Sequence, residues 1–202
     1  MLIKVCGMRD AENIRQVESL GVDLIGLIFY PKSSRFVVCP PSYLPYKAKT
    51  VGVFVNEAQE TVLALYNQFS LNFVQLHGTE SPEYCVSLRD KGLNLIKAFS
   101  VATSSDLKAT EKYEGLCSYF LFDTKCEGHG GSGEQFDWSI LSHYQGKTPF
   151  LLSGGISPQS VKELKAFQHE LFAGVDLNSC FETAPGMKDV EKLSRFFKEL
   201  RK

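Results

Sequence analysis

At 202 residues, 44% of them hydrophobic and 22% charged, the chain can bury one substantial core and has the make-up of a soluble globular enzyme, which excludes disordered and fibrous classes. Its net charge of -1, without a basic block, argues against nucleic acid or an anionic membrane as principal partner. No apolar run reaches the roughly 18 residues of a membrane span, and the amino terminus reaches a strand without a basic leader or signal segment, so the expected location is cytoplasmic.

In chain order, apolar and β-branched runs predict strands at 2–6, 22–29, 50–55, 72–76, 93–99, 118–123, 149–152 and 171–176. They are nearly continuous in hydrophobicity, as strands covered on both faces are. Helical spacing fills the gaps. Asp10 can cap the helix of Ile14, Val17 and Leu20, which Gly21 ends. Asn56 can cap the helix of Val62, Leu63, Leu65 and Tyr66; Ser81-Pro82 and Ser157-Pro158 open two more. A last helix carries Val190, Leu193, Phe196, Phe197 and Leu200.

Eight strands and eight following segments at about 25 residues each predict an α/β architecture, a single (β/α)8 TIM barrel over residues 1–202. The structural rival, an open doubly wound sheet, would carry GxGxxG after the first strand, where Cys6-Gly7-Met8-Arg9-Asp10 stands instead. The six cysteines, Cys6, Cys39, Cys85, Cys117, Cys126 and Cys180, show no CxxC spacing and are expected as free thiols in a reducing compartment. The four histidines lack HxH and HExxH spacing, so no metal site and no cofactor are expected.

Barrel active sites lie at the carboxyl ends of the strands. Cys6 ends the first strand and Asp123 the sixth, which places a thiol and a carboxylate at one rim as a candidate acid/base pair. Gly154-Gly155 after the seventh strand, with Asn178 and Ser179 opening a short helix after the eighth, suit a phosphate cradle of backbone N–H groups. Arg35, in the loop after strand two, would meet a substrate carboxylate through two parallel hydrogen bonds; on position alone it is a solvated loop arginine. His77, ending strand four, fits a structural and a ligand-facing role equally.

Lys4-Val5-Cys6-Gly7, Phe29-Tyr30-Pro31-Lys32-Ser33-Ser34-Arg35, Val51-Gly52-Val53-Phe54-Val55-Asn56, Val74-Gln75-Leu76-His77-Gly78 and Phe122-Asp123-Thr124 form one ordered set. Gly130-Gly131-Ser132-Gly133, Phe136-Asp137-Trp138, Ser153-Gly154-Gly155 and Pro185-Gly186-Met187-Lys188-Asp189 continue it over almost the whole chain. The set resembles the phosphoribosylanthranilate isomerase family of tryptophan biosynthesis. The resemblance implies an Amadori rearrangement of N-(5′-phosphoribosyl)anthranilate, with this small molecule as the partner. It implies Asp123 as general acid, Cys6 as general base, Arg35 on the anthranilate carboxylate, and Gly154, Gly155 and the 178–180 turn on the phosphate, with Asp176 beside it. For that chemistry, burial under the sixth loop would raise the Asp123 carboxyl and a positive local field would lower the Cys6 thiol.

Two departures stand out. Asn178-Ser179-Cys180-Phe181-Glu182 replaces the family's usual Ser-Ser-Gly-Val-Glu, so a side chain sits where glycine is usual, with backbone strain if φ is positive there. Glu134-Gln135 replace the usual Lys-Thr after Gly133. Two alternatives stay open: another sugar-phosphate isomerase or epimerase on the same scaffold, and a phosphate-ligand binder without catalysis. Monomer and homodimer fit the sequence equally.

Overall fold

A computed structural model of the protein describes residues 1–124 and 138–202. Cys126, Gly130-Gly131-Ser132-Gly133, Glu134-Gln135 and Phe136-Asp137 therefore lie outside the described residues. Eight strands follow one another around the barrel: β1 (Leu2–Val5), β2 (Leu24–Ile28), β3 (Lys49–Phe54), β4 (Phe73–Leu76), β5 (Leu95–Val101), β6 (Tyr119–Thr124), β7 (Phe150–Ser153) and β8 (Phe172–Leu177). Every neighbouring pair is parallel, and β1 closes the ring on β8 through Leu2↔Gly174, Ile3↔Val175, Lys4↔Asp176 and Val5↔Leu177. This is the (β/α)8 TIM barrel that the alternation of elements predicts.

Strand side chains alternate between the barrel interior and the outer layer. Leu24, Val51, Phe73, Ile96, Leu121 and Leu151 close the interior as one apolar layer. The opposite set, including Ile3, Val5, Ile25, Leu27, Val74, Phe120, Phe122, Phe150 and Leu152, packs outward against the surrounding segments. Fully burying one such side chain contributes about 1.5–3 kcal/mol, so the two layers together hold the ring shut.

Five α-helices occur among the described residues: α1 (Ala11–Ser19), α2 (Gln59–Gln68), α3 (Pro82–Asp90), α4 (Val161–Ala166) and α5 (Val190–Leu200). Asp10 caps α1 by accepting the Asn13 N–H at 2.8 Å, and Gly21 follows with φ of +75°. Ser81 caps α3, with Pro82 in its first turn. Asp189 caps α5, whose Leu193, Phe196, Phe197 and Leu200 are buried.

The expected Asn56 cap does not form. Helix α2 starts from Ala58, with no side-chain cap. Asn56 adopts φ of +49°, and its Oδ1 accepts from the Thr79 backbone N–H at 2.7 Å. An asparagine tolerates the left-handed region, and here it joins the loops after β3 and β4 instead of opening a helix.

Nor does a helix follow every strand. Pro31, Pro40, Pro41 and Pro45 break up the segment after β2, which runs irregularly to β3. Short 3-10 segments, Ser104–Tyr113 and Trp138–His143, stand outside β5 and β6. The strands' own aromatic rings pack together there: Phe99 against Phe120 with centroids 5.1 Å apart, and Phe122 against Phe150 at 5.0 Å. After β8 a 3-10 turn, Ser179–Phe181, leads into a small antiparallel pair, β9 (Glu182–Ala184) and β10 (Met187–Lys188), which the periodicity does not announce.

Candidate active site

The interior face changes character toward the carboxyl ends of the strands. On β4, Phe73 belongs to the apolar layer, Gln75 lies above it, and His77 just past the strand reaches the rim. On β6, Leu121 is followed two residues later by Asp123. Lys4 and Cys6 show the same two-residue step on β1 and just beyond it. Period-two alternation therefore delivers the polar side chains to one end of the barrel.

They line a cavity of about 360 Å³. Cys6 and Asp123 both face it, as do Arg35, His77 and Asp176. Gly154, Gly155, Asn178 and Ser179 form its other end. All nine residues singled out from the sequence thus meet in one cavity. Among the described residues no group of three or more His, Cys, Asp or Glu is placed to hold a metal ion.

Cys6 is buried, and its backbone N–H donates to the Leu177 carbonyl at 2.9 Å, which fixes it against β8. Room for the sulfur comes from Gly26 on β2: a Cβ there would lie 2.7 Å from Sγ and 3.1 Å from the Cys6 Cα. Lys4 contacts the thiol from below, and its Nζ donates to Asp176 Oδ1 at 2.9 Å. Both partners of this ion pair are buried. Removing either alone would leave an uncompensated charge in low dielectric.

One ammonium thus serves two acids. Burial pushes the Cys6 thiol up; Lys4 and, less strongly, Lys188 pull it down, and Asp176 pushes it up again. The net direction is upward, opposite to the lowering that the expected positive field would give. The reason is first that water is excluded from the sulfur, and then that Asp176 offsets part of the Lys4 charge. Burial alone would lower Lys4, but Asp176 and Cys6 together hold it above its ordinary value, so it stays an ammonium. Asp176 is thus a buried residue paired with Lys4 beneath the thiol, and it lines the same cavity as the glycine-lined end.

Across the cavity, the His77 Nε2 lies 3.4 Å from Asp123 Oδ2, and its Nδ1 lies 2.9 Å from the Gln75 amide nitrogen. An Nδ1 that accepts from Gln75 leaves the ring proton on Nε2, directed at the Asp123 carboxylate. The ring stands on the cavity wall and is only half-buried, with Nε2 toward Asp123.

At the remaining end, Gly154 and Gly155 adopt φ of +80° and +66°, values that would strain any residue with a Cβ. Cys180 lines the cavity but is absent from the positive-φ positions, so the substitution for glycine carries no backbone strain. Arg35 is not a solvated loop arginine. Its Nε and Nη2 donate to Glu182, at 2.9 Å to Oε1 and 2.6 Å to Oε2. Lys188 Nζ donates to the same carboxylate at 2.5 Å and to Asn178 Oδ1 at 2.8 Å. Burial works against the Glu182 carboxylate, yet the Arg35 and Lys188 donors hold it below the usual range.

Lys4, Gly26, Gln75, Glu182 and Lys188 are the site residues that sequence reasoning missed. Lys4 had a readable signal: two residues before Cys6 on a strand, it shares the interior face. Glu182 and Lys188 stand in segments that the resemblance covers but received no role, since the β9–β10 pair that presents them is not announced by periodicity.

The family model for N-(5′-phosphoribosyl)anthranilate (PRA) isomerase matches residues 3–199. An N-(5′-phosphoribosyl)anthranilate isomerase of Phocaeicola vulgatus is 53% identical over 201 residues, covering 100% of this chain and 98% of the relative. The crystal structure of phosphoribosyl anthranilate isomerase from Thermotoga maritima superposes with a TM-score of 0.84 at 32% identity, covering 100% of this chain and 98% of that one. A phosphoribosyl anthranilate isomerase in complex with reduced 1-(o-carboxyphenylamino)-1-deoxyribulose 5-phosphate gives 0.82 at 30% identity, with the same coverage. Barrel, cavity and sequence agree on one assignment: this chain is a member of the N-(5′-phosphoribosyl)anthranilate isomerase family.

Proposed function

We propose that the chain converts N-(5′-phosphoribosyl)anthranilate to 1-(2-carboxyphenylamino)-1-deoxyribulose 5-phosphate, the isomerase step of tryptophan biosynthesis, by acid/base catalysis in the cavity described above. It does so as one catalytic domain, residues 1–202, in the cytoplasm. Asp123 is the general acid. It gives its proton to the furanose ring oxygen as the C1–O bond breaks, while the anilino nitrogen lone pair forms the C1=N bond of a protonated Schiff base. Cys6 is the general base. Its thiolate takes the C2 proton, the C–H electrons become a C1=C2 bond, and the C=N electrons return to nitrogen. The resulting enolamine tautomerises to the ketone by moving the O2 proton and protonating C1.

The observation that carries this reading is the placement of a thiol and a carboxylate, from β1 and β6, in one cavity that also holds a glycine-lined end and an arginine. Arg35 would take the anthranilate carboxylate on the guanidinium fork not committed to Glu182. Gly154, Gly155, Asn178 and Ser179 would receive the phosphate. His77 is a positioning residue that steadies Asp123, and Asp176 acts through Lys4. A single chain builds the whole described cavity, so a monomer and a homodimer would both carry complete sites.

The test is turnover of phosphoribosylanthranilate by the purified chain, followed through the fluorescence of the anthranilate ring. Wild type should be active, and folded Cys6→Ser and Asp123→Asn should each lose about 10²–10⁴-fold. Full activity in Cys6→Ser would refute the base assignment.

A further inference from the structure

Glu182 has no part in the proton transfers, yet five polar contacts converge on it. Its Oε1 accepts from Arg35 Nε at 2.9 Å, Lys188 Nζ at 2.5 Å and the Gly186 N–H at 3.1 Å. Its Oε2 accepts from Arg35 Nε at 3.1 Å and Nη2 at 2.6 Å. Lys188 continues the chain of contacts, donating to Asn178 Oδ1 at 2.8 Å. Lys188 and Glu182 side chains are only 0% and 5% exposed, so these are charge-assisted bonds shielded from water.

This network joins two regions that are far apart in sequence. Arg35 belongs to the loop after β2, and Asn178 to the turn after β8. Gly7 lets them meet: a Cβ there would lie 2.6 Å from Arg35 Cδ and 2.8 Å from Asn178 Oδ1. The formal charges of Arg35, Lys188 and Glu182 leave one positive charge between two candidate anion subsites. A guanidinium offers two forks, and Glu182 occupies the Nε/Nη2 fork; the other is thereby aimed.

We propose that Glu182 is a positioning residue that ties the carboxylate-reading Arg35 to the phosphate turn through Lys188, so that both ends of the substrate are gripped by one rigid unit. The inference rests on the roles given above to Arg35 and to residues 178–180. It predicts that losing the Glu182 charge weakens recognition at both ends, although Glu182 touches neither.

The experiment measures, on wild type, Glu182→Gln, Lys188→Met and Arg35→Met, the affinity for two half-ligands: 2-aminobenzoate, which has the carboxylate alone, and ribose 5-phosphate, which has the phosphate alone. Calorimetric binding makes the readout independent of turnover. Glu182→Gln should weaken both by about tenfold or more, raising KM while kcat falls less than about threefold. Lys188→Met should weaken ribose 5-phosphate chiefly, and Arg35→Met 2-aminobenzoate chiefly. Thermal melting checks that each variant folds; if Glu182→Gln does not, a Lys188→Met protein that folds and binds ribose 5-phosphate as wild type does overturns the proposal. So does a folded Glu182→Gln protein that loses one half-ligand only, or neither. Wild type that neither turns over phosphoribosylanthranilate nor binds the halves would overturn the functional reading, and this inference with it.

Discussion

Lys4 Nζ lies 2.9 Å from Asp176 Oδ1, inside the barrel, at the register position where β1 closes on β8. The ion pair sits directly beneath Cys6 and, after burial, bears most on how readily that thiol gives up its proton. The charged groups that bear on the sulfur are Lys4, Asp176, Lys188 and Arg35. Because burial raises the thiol above its ordinary 9.0, the thiolate is the minor form at neutral pH, and kcat/KM should climb with pH through the neutral range. Lys4→Met removes a stabilising cation and should move that rise to higher pH; Asp176→Asn removes an opposing charge and should move it lower. Site-resolved alkylation of Cys6 against pH measures the same two shifts without turnover. Shifts of equal sign would rule out this account.

His77 and Asp123 are expected to behave as a unit. Without the ring, the Asp123 carboxyl loses the Nε2 contact at 3.4 Å. We predict that His77→Ala lowers kcat on the order of 10–10²-fold, as a modest misplacement of an acid does. His77→Gln, whose amide nitrogen also donates, should recover part of the loss. Equal rates in His77→Ala and wild type would leave the histidine without a role.

Gly26 offers a test of the thiol's placement that leaves Cys6 itself in place. A methyl group at residue 26 would meet Cys6 Sγ at 2.7 Å and the backbone Cα at 3.1 Å. The sulfur can rotate away but the Cα cannot, so the side chain must leave its present position. Gly26→Ala should therefore lose about 10²-fold in kcat with a cooperative melting transition retained. Wild-type turnover would show that the thiol tolerates displacement.

The barrel was legible because its strands are covered on both faces and its helices announce their starts, as Asp10 and Ser81 do. Cys6, Asp123 and the glycines were legible because the fold sends strand ends to one rim, a rule that needs only position. Asn56 misled because the same side-chain oxygen that caps helices also bridges loops, and only the tertiary partner Thr79 decides between them. Glu182 and Lys188 were hidden because the β9–β10 pair that presents them gives no periodic signal and their partner Arg35 comes from the loop after β2. The direction of the Cys6 shift was hidden because it is set first by burial of the sulfur, and then by the Asp176 charge beside Lys4, neither of which position alone shows.

Cys180 stands where the family usually has glycine. Its φ is not positive, so nothing in the backbone requires glycine at this position. Cys180→Gly should lower stability by about 0.4–1 kcal/mol through the looser unfolded chain, with KM changed less than about threefold. Thermal melting and steady-state kinetics check this. A gain in stability would mean that the cysteine is strained after all.

Glu18 holds the long segment between β2 and β3 to the barrel. Its carboxylate accepts from the Tyr43 hydroxyl, and its Oε1 accepts from the N–H groups of Tyr46, Lys47 and Ala48 at 2.9, 2.7 and 2.9 Å. Burial opposes ionisation, but these donors outweigh it and hold Glu18 below its ordinary 4.5. A carboxyl depressed in the folded state stabilises at pH above its unfolded value, and that contribution is lost as pH falls through the folded one. Glu18→Gln should thus destabilise the protein at pH 7 by about 1–3 kcal/mol, since an amide leaves part of the donor set unmet. The gap to wild type should narrow below pH 4.5, where wild type also loses the charge. Chemical denaturation of both proteins at pH 7 and pH 4 decides it, and a gap that stays constant or widens toward acid would show that the ionised carboxylate is not what ties this segment down.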